Sequence, residues 1–400
     1  MKKTRMISLF IVLGFFYPWH KVHSEMIKKG EKLRTTMEKN VNPHRNFNMY
    51  MDFTSRIHST VEKDILDGSP FSTESFKLDI MGKANDKISY RFVQKFHNKK
   101  NHVDKEEDLD NVEDHKMYDP ITIDLAYLKY KYNEKLSFLI GKQPVSFGGM
   151  EYNSKDLHID RYFDVYKNKE NPIGINFIYT PKKNQELQLQ MVNSHSRKLD
   201  EEIHPEQVNH PMGYSANLNW NLFNKTIQNR WSYSLFQESE KDKFWKLLAL
   251  GSKLDLKPIS IEADYILSDE DIEKNGYFTK IIRSLNSDYK DFLSMRYKTY
   301  FLKFKYNFIP KWNFFAKGIY EVGRSKTRIQ EVYGVDQDQL LKKGCTYYGG
   351  IEYMPGQEDL SLYFLYKKQK VDYMNFVRQE NKDKDNHSIV LGLSYRIKLF

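Results

Sequence analysis

The stretch from Tyr300 to Val322 alternates apolar and polar side chains along two segments, which Ile309-Pro310-Lys311 separates. The apolar face of the first segment carries Tyr300, Leu302, Phe304, Tyr306 and Phe308, and its polar face carries Lys303, Lys305 and Asn307 with a lone Phe301. The polar face of the second carries Phe315 and Ile319 among Asn313, Lys317 and Glu321. A period of two predicts two β-strands joined by a tight turn. Because the apolar face is rich in aromatic residues, the pattern favours a transmembrane hairpin with lipid outside and an aqueous lumen inside.

Sixteen such segments recur, at residues 47–58, 75–84, 87–97, 121–132, 136–147, 173–180, 185–194, 213–223, 227–237, 244–256, 259–268, 298–308, 312–323, 345–354, 359–370 and 388–399. Links after even-numbered segments are short and rich in turn residues, whereas most links after odd-numbered segments are long and charged. Outer-membrane barrels sort their connections in this way, with short periplasmic turns and long extracellular loops. The sequence therefore predicts an all-β fold, a 16-stranded antiparallel transmembrane β-barrel over residues 46–400. A soluble all-β protein is the alternative.

The first residues have the layout of an export signal. Basic residues lie within Met1 to Arg5, the run from Met6 to Trp19 is mostly apolar, and Ser24 is a small residue suited to cleavage. We expect a signal peptide over residues 1–24 and a short periplasmic lead-in over residues 25–45, the alternative being a retained N-terminal anchor. No later run approaches about 18 uninterrupted apolar residues, which excludes a helical membrane protein. The predicted location is the bacterial outer membrane, with its lipid as a partner.

Alternation assigns one face of each strand to the lumen. Its predicted basic side chains, the candidate anion path, are Arg56, Lys77, Arg91, Lys95, Lys129, Lys131, Arg230, Lys303, Lys305, Lys317, Arg396 and Lys398. Fewer acidic residues share this face: Asp52, Asp79, Glu186, Asp255, Glu262, Asp264, Glu321 and Glu352. A positive wall concentrates anions in a narrow passage. The alternative is a lysine-rich composition spread over all wet surfaces. The fourth strand stays ambiguous, because Leu125 and Tyr127 share a face with Lys129 and Lys131 and a slip of one residue inverts it.

A barrel of this width encloses an aqueous channel unless something plugs it. The candidate constriction is the loop from Gly148 to Pro172, and the residues singled out in it are Gly148, Gly149, Glu151, Asp156 and Arg161. Such a loop either folds into the lumen and sets the pore radius or caps the barrel from outside. The sequence leaves these two arrangements open.

Composition and motifs argue against other functions. A formal charge of +10 is compatible with nucleic acid binding, but no motif of that kind is present, and we expect no nucleic-acid partner. The 12 histidines lack zinc-site spacing, and the single cysteine, Cys345, cannot form an internal disulfide. We expect no metal, no cofactor and no catalytic residue. The acidic stretch from Asp104 to Asp119 is interpreted as a solvated extracellular loop, with a cation site as the alternative.

The C-terminus carries a candidate assembly signal. Tyr395 lies on the apolar face of the last strand, and Phe400 is a terminal aromatic residue of the kind that barrel-assembly machinery recognises. The apolar positions from 389 to 399 are odd, so Phe400 is out of phase with them. We expect it to lie beyond the last ladder bond or after a bulge.

Three stretches resemble the porin O/P family, outer-membrane porins of the phosphate-selective type, in the version found in Bacteroidetes. They are Phe76 to Phe96, Ile123 to Glu151 and the final strand, and the most specific signature is Gly141-Lys142-Gln143 followed by Gly148-Gly149-Met150-Glu151. The resemblance implies a sixteen-stranded barrel and a homotrimer that passes small anions, phosphate among them, by diffusion. Because Lys lacks the bidentate phosphate geometry of Arg, we expect a general anion preference. The alternative function is a surface adhesin or receptor acting through its long loops.

Overall fold

The computed structural model describes residues 47–62, 65–96, 121–153, 171–194, 210–238, 242–285, 291–328, 338–356, 359–373, 377 and 384–400. Within these ranges sixteen strands form one closed antiparallel barrel, which confirms the predicted fold. The strands are β1 (Phe47–Glu62), β2 (Ile65–Lys83), β3 (Ile88–Phe96), β4 (Ile121–Lys131), β5 (Leu136–Lys142), β6 (Ile173–Lys182), β7 (Gln185–Asn193), β8 (Met212–Leu222), β9 (Ile227–Gln237), β10 (Phe244–Leu256), β11 (Ile259–Glu270), β12 (Met295–Ile309), β13 (Trp312–Ser325), β14 (Leu340–Tyr353), β15 (Asp359–Tyr373) and β16 (Lys384–Lys398). Every strand pairs with its sequence neighbours, and closure leaves no sheet edge exposed.

The connections differ between the two rims of the barrel. Links after even-numbered strands are short, such as residues 183–184, 257–258 and 310–311, and we call their end of the barrel the short-turn rim. Links after odd-numbered strands are mostly long, such as residues 143–172 and 271–294, and they define the long-loop rim. The first of them is an exception that the sequence did not indicate, because β1 and β2 extend until only residues 63–64 separate them.

The last strand closes the barrel against the first. Met51 lies opposite Ile397, and Arg56 lies opposite Gly392. Beyond β16 the pairing continues through the backbone, because the amide of Met49 donates to the carbonyl of Phe400 at 3.2 Å and the amide of Leu399 donates to the carbonyl of Met49 at 2.8 Å. Phe400 therefore lies after the end of the last strand while still bonded to β1.

Burial along the strands follows the alternation seen in the sequence. On β12, Tyr300 and Leu302 are 48% and 57% exposed. The residues that alternate with them, Phe301 and Lys303, are 3% and 4% exposed. The exposed side chains point outward from the barrel and the buried ones point inward. Large apolar side chains on the outside are what a lipid-facing surface requires.

A β-bulge resolves the ambiguity of the fourth strand. Val93 on β3 pairs with Leu125, but the next residue, Gln94, pairs with Ile123, so Asp124 is an extra residue on β4. The bulge shifts the alternation by one position. Ile123 therefore points outward and Leu125 points inward. Lys129 shares the inward face, since it lies opposite the buried Leu139.

One α-helix is present in the described residues, α1 (Tyr277–Leu285), within the link between β11 and β12. The buried carboxylate of Glu273 accepts hydrogen bonds from the amides of Phe278 at 2.8 Å and Thr279 at 2.7 Å, which satisfies the helix N-terminus. Ile281 and Ile282 are buried on the same face as Phe278. In the part of the chain that the structure describes, no helix has the length and apolar character needed to cross a membrane.

The interior of the barrel contains a large group of packed apolar side chains, which we call the apolar cluster. Its members are Val145, Phe147, Val192, Phe236, Trp245, Leu247, Ala249, Ile266, Phe278, Ile281, Ile282, Leu293, Met295, Tyr297, Phe301, Phe315, Ile319, Leu341, Tyr348, Tyr363, Leu365, Val371, Tyr373, Val377 and Val390. Most of them lie toward the long-loop rim, where the link after β5 and helix α1 contribute. The sequence analysis did not indicate this cluster, in which inward positions of the strands and residues of two long links supply apolar partners for one another.

Candidate pore constriction and vestibule

The link that follows β5 turns into the barrel instead of continuing the strand. The predicted strand extended to residue 147, but β5 ends at Lys142. The wall holds the next residues with side-chain amides. Gln190 on β7 accepts from the amide of Ser146 at 2.8 Å and donates to the carbonyl of Pro144 at 2.9 Å. Asn176 on β6 donates to the hydroxyl of Ser146 at 2.8 Å.

The next residues are fixed by strands farther around the barrel. Arg230 on β9 donates to the carbonyl of Gly148 at 3.1 Å. The carboxylate of Asp264 on β11 accepts from the amide of Met150 at 2.8 Å and from the amide of Glu151 at 3.0 Å. Hydrogen bonds to a carboxylate are stronger than those between neutral groups. The segment therefore crosses the interior with its backbone groups bonded to inward side chains, and it ends in a 3₁₀ turn (Glu151–Asn153).

Two glycines permit this close contact between loop and wall. A Cβ at Gly149 would lie 2.3 Å from Cγ of Asp264, and a Cβ at Gly251 on β10 would lie 2.4 Å from the amide nitrogen of Met150. Neither distance is possible for a real side chain. Gly149 of the sequence signature thus has a packing reason, and Gly148 before it has a positive φ of 97°, which favours glycine.

Charged side chains from four neighbouring strands meet the tip of this segment. Lys253, Glu262, Lys303 and Lys317 are successive partners in the register of β10, β11, β12 and β13. The fifth member is Glu151, and we call the five residues the lysine–glutamate network. Lys253 bonds Glu262 at 2.8 Å, and Lys317 bonds Glu151 at 2.8 Å. Lys303 Nζ lies 3.7 Å from an oxygen of each glutamate.

A cavity of about 630 Å³ lies between Met150 and the short-turn rim, and we call it the vestibule. Its basic lining residues are Lys183, Arg230, Lys253, Lys303 and Lys305, its acidic ones are Glu186, Asp255 and Glu262, and its amides are Asn184, Gln185, Asn219, Asn221, Gln228 and Asn229. The remaining lining residues are Met150, Thr180, Trp220 and Ser260. The vestibule is therefore a polar compartment, in contrast with the apolar cluster.

Two of the predicted basic residues converge on Asp79, which is 1% exposed. Arg91 donates two hydrogen bonds to its carboxylate, at 3.0 and 2.9 Å. Arg396 donates to Asp79 at 2.6 Å and to Asp52 at 2.9 Å. Two guanidinium groups and two carboxylates thus form a group without net charge, so these arginines add little to a positive wall.

Some of the other predicted basic residues form ion pairs, and the rest are placed by the strand register. Lys305 bonds Glu352 at 2.8 Å, Lys77 lies 3.7 Å from Asp124, and Lys131 bonds the turn residue Glu134 at 2.7 Å. The pairing register places Arg56, Lys95, Lys129 and Lys398 on inward-facing positions. Ion pairs therefore cancel much of the excess positive charge that the alternation alone suggests.

Of the predicted constriction residues, Gly148, Gly149 and Glu151 lie inside the barrel against its wall, whereas Asp156 and Arg161 lie outside the described residues, as does the acidic stretch 104–119. Sequence reasoning did not identify Gln190 or Ser232, whose hydroxyl accepts from the amide of Gly148 at 3.0 Å, and it placed Asp264 on the inward face without its role in holding the segment. Their only signal was a polar side chain at an inward position, which many residues share. Among the described residues, no group of three or more His, Cys, Asp or Glu side chains is placed to hold a metal ion.

Comparison with known proteins gives a family and a set of folds. The profile of the family described as phosphate-selective porin O and P matches residues 45–397. No curated protein sequence matches the chain.

Several solved structures share the barrel. OmpT, an outer membrane protein of Vibrio cholerae, aligns with a TM-score of 0.55 at 11% identity, over 90% of this chain and 100% of that one. The outer membrane channel DcaP of Acinetobacter baumannii gives 0.56 at 12% identity, over 88% and 97%. The anion-selective porin from Comamonas acidovorans gives 0.54 at 7% identity, over 88% and 99%. At these identities the similarity shows the fold alone.

Proposed function

This chain belongs to the phosphate-selective porin O and P family, whose members form channels in the outer membrane, and we propose that it passes small hydrophilic solutes by passive diffusion with a modest preference for anions. The short-turn rim faces the periplasm and the long-loop rim faces outward, as in other barrels of this kind. A signal peptide over residues 1–24 directs export, and Tyr395 and Phe400 serve recognition by the assembly machinery.

The vestibule is the observation that carries this proposal. Five of its lining residues are basic and three are acidic, and the side chains of Lys253 and Lys305 are 27% and 31% exposed there. A low-dielectric wall focuses this small positive excess on a passing ion. Because Lys253 and Lys305 each pair with a glutamate, the preference is modest.

The same lining favours anions in general over phosphate in particular. Recognition of phosphate is strongest where arginines offer two parallel N–H donors. Arg230, the arginine of the vestibule lining, already donates hydrogen bonds to the carbonyls of Phe147 and Gly148. The lysines present point charges, which attract chloride, carboxylates and phosphate without a fixed geometry.

A homotrimer is part of the proposal. The porin family supports it, and so does the fold shared with OmpT of Vibrio cholerae, which has been solved in a trimer form. The large apolar side chains outside the barrel, such as Tyr300 and Leu302, are suited to contact either lipid or a neighbouring subunit. Mass measurement of the protein extracted in mild detergent tests the assembly, and a single-chain mass contradicts it.

Planar bilayer recording tests the channel. We expect discrete conductance steps and a reversal potential, in a potassium chloride gradient, of the sign that marks chloride as the more permeant ion. Cation selectivity would contradict the anion preference. Absence of conductance would contradict the channel and favour the alternative function, a surface adhesin or receptor.

A further inference from the structure

Three basic side chains lie close together on the outside of the barrel near the long-loop rim. In the strand register Lys298 on β12 and Lys343 on β14 both face Val322 of β13, and Arg324 follows two positions farther along β13. The chain neighbours of each basic residue are buried, whereas Lys298 is exposed and the other two are half-buried. The three side chains therefore point outward, and we call them the outer basic patch.

The outer basic patch keeps its positive charge. Among the described residues, none of its three members forms an ion pair. Arg324 donates from one guanidinium nitrogen to the uncharged carbonyl of Asp338 at 2.7 Å, which leaves its other donors available. Asp372 faces Lys343 across the strand pair, but its carboxylate lies 3.4 Å from Lys370. Three cations thus share one patch of surface without a neutralising carboxylate.

The side chains next to the patch place it at the edge of the lipid-facing surface. Toward the middle of the barrel the outward positions of β12 and β13 continue with Tyr300 and Tyr320, whose ring centres lie 6.3 Å apart. The next outward residue of β12 is Leu302, which is exposed. Tyrosines are enriched where the hydrocarbon core meets the headgroups, with purely apolar side chains below them. The outer basic patch, beyond the tyrosines, therefore lies at the level of the headgroups.

The other side of the barrel lacks such a patch at this rim. Among the described outward positions there, the strands β3 to β7 present uncharged side chains such as Phe96, Ile121, Ile173 and Asn193, and one basic residue, Lys142. The unneutralised positive charge is therefore a local feature of β12 to β14. A lysine-rich composition by itself does not explain this distribution.

We propose that the outer basic patch binds the phosphate group of an anionic lipid in the outer leaflet of the membrane. Lys298 and Lys343 are two strands apart, about 10 Å at the usual strand spacing, so their long side chains can converge on one phosphate. Arg324 adds N–H donors suited to phosphate oxygens. The acyl chains would lie along the apolar surface below the tyrosines. The inference rests on the proposed function for the position of the barrel in the outer membrane.

Heat unfolding in lipid–detergent micelles tests the proposal. The refolded protein, in maltoside micelles, is titrated with dioleoyl phosphatidic acid or with dioleoylglycerol, which lacks the phosphate, and unfolding is followed by tryptophan fluorescence. We expect the midpoint to rise with phosphatidic acid and to change little with dioleoylglycerol, because a ligand that binds only the folded state stabilises it. A wild-type midpoint that phosphatidic acid leaves unchanged would overturn the proposal.

Substitution of the patch gives the site-specific result. The triple variant Lys298→Gln, Arg324→Gln, Lys343→Gln should raise the half-saturating content of phosphatidic acid about a hundredfold, the equivalent of about 2.7 kcal/mol. If the triple variant does not refold, Lys343→Gln alone should raise it about fivefold, the equivalent of about 1 kcal/mol.

The matched control removes the same charge from the other end of the barrel. Lys135, Lys225 and Lys311 are exposed residues of three short turns. Their triple replacement by Gln should change the half-saturating content less than about twofold, because charges farther apart than the Debye length are screened. Equal weakening in the two triple variants would show attraction by net charge and would overturn the patch as a site.

Inorganic phosphate distinguishes the lipid from the free ion. We expect it to give no rise at the concentration that half-saturates the response to phosphatidic acid, since it lacks the acyl chains that the apolar surface holds. An equal rise with inorganic phosphate would overturn the lipid as the ligand. The titration requires no conductance, so a non-conducting wild type would contradict the proposed channel while the lipid site is still decided.

Discussion

The same strands build two different interiors in the two halves of this barrel. Toward the short-turn rim β12 points Lys303 and Lys305 inward, and toward the long-loop rim it points Tyr297, Thr299 and Phe301. On β10 the inward residue toward the short-turn rim is likewise the polar Lys253, and those toward the long-loop rim are Leu247 and Ala249. The first half is a polar vestibule, and the second is packed along β7 to β16 like the core of a soluble protein.

The difference shows that alternation determines which way a side chain points but not what it meets there. An inward polar group in the vestibule meets water and other polar groups. An inward apolar group near the long-loop rim packs against the segment after β5, against helix α1 or against other members of the apolar cluster. The segment around Glu151 lies at the boundary, with Phe147 in the apolar cluster and Met150 in the vestibule lining.

The largest expected difference between the halves is in stability. Phe147 is 2% exposed, and its ring centre lies 5.4 Å from that of Phe236 and 5.8 Å from that of Trp245. We expect Phe147→Ala to lower the free energy of unfolding in lipid vesicles by about 3–5 kcal/mol because it leaves a cavity. Asn221→Ala in the vestibule should change it by less than about 0.5 kcal/mol. Equal losses in a urea titration would show that the two halves are not packed differently.

Asp264 holds the segment around Glu151, which lies at the boundary between the two halves. Asp264→Ala removes the acceptor of two loop amides, and we expect a loss of about 3 kcal/mol, since a hydrogen bond to a charged group contributes about 1.5–3 kcal/mol. The released segment should also raise the single-channel conductance. Asp255→Ala, in the vestibule lining, is the matched control and should leave conductance unchanged. A normal conductance in Asp264→Ala would mean that other contacts suffice to hold the loop.

Titration should also distinguish two carboxyl groups within the long-loop rim. Burial raises the pKa of Glu238, in the link after β9, to about 7 from its ordinary value of 4.5. A carboxyl with a raised pKa favours folding when protonated, so this stabilisation is present below pH 4.5 and is lost as the pH rises toward 7. We expect Glu238→Gln to be more stable than wild type above pH 7 by up to about 3 kcal/mol, with the difference vanishing below pH 4.5.

Asp271, in the link after β11, serves as the comparison, because its contribution to stability changes with pH in the opposite direction. Burial alone would raise its pKa, but hydrogen bonds from Lys326 and the amide of Phe244 lower it. Its stabilisation is therefore present above pH 3.8 and lost as the pH falls through the lowered pKa. Urea titrations of Glu238→Gln and Asp271→Asn across pH 3 to 8 should diverge from wild type in opposite directions. A shared direction would contradict the burial assigned to Glu238.

The sequence predicted the strands well because alternation is a local property that each strand displays by itself. It also contained a sign of the apolar cluster: Phe301, Phe315 and Ile319 stand on the polar face as anomalies, and all three are members of that cluster. The bulge at Asp124 was not predictable, because it appears only when β4 is paired with β3.

The site was less predictable because its contacts join distant parts of the chain. Lys317 and Glu151 are 166 residues apart, and Asp264 lies 114 residues from Met150. Alternation counted Lys303 and Lys317 as unpaired wall charges. Only the direction taken by the chain after Lys142 shows that a glutamate lies between them.

The smallest effect is expected in the vestibule itself. Lys305 is 31% exposed and paired with Glu352, and exposed charges are screened within about 8–10 Å at physiological salt. We expect Lys305→Gln to lower the chloride-to-potassium permeability ratio by less than about twofold, and Glu352→Gln to raise it by a similar amount. Glu151→Gln should raise the ratio more than Glu352→Gln does, because the lysines that face Glu151 are 0% and 5% exposed and screened less than Lys305, the partner of Glu352. Equal shifts of the reversal potential in Glu151→Gln and Glu352→Gln would mean that selectivity is set along the whole vestibule and not at the boundary with the apolar cluster.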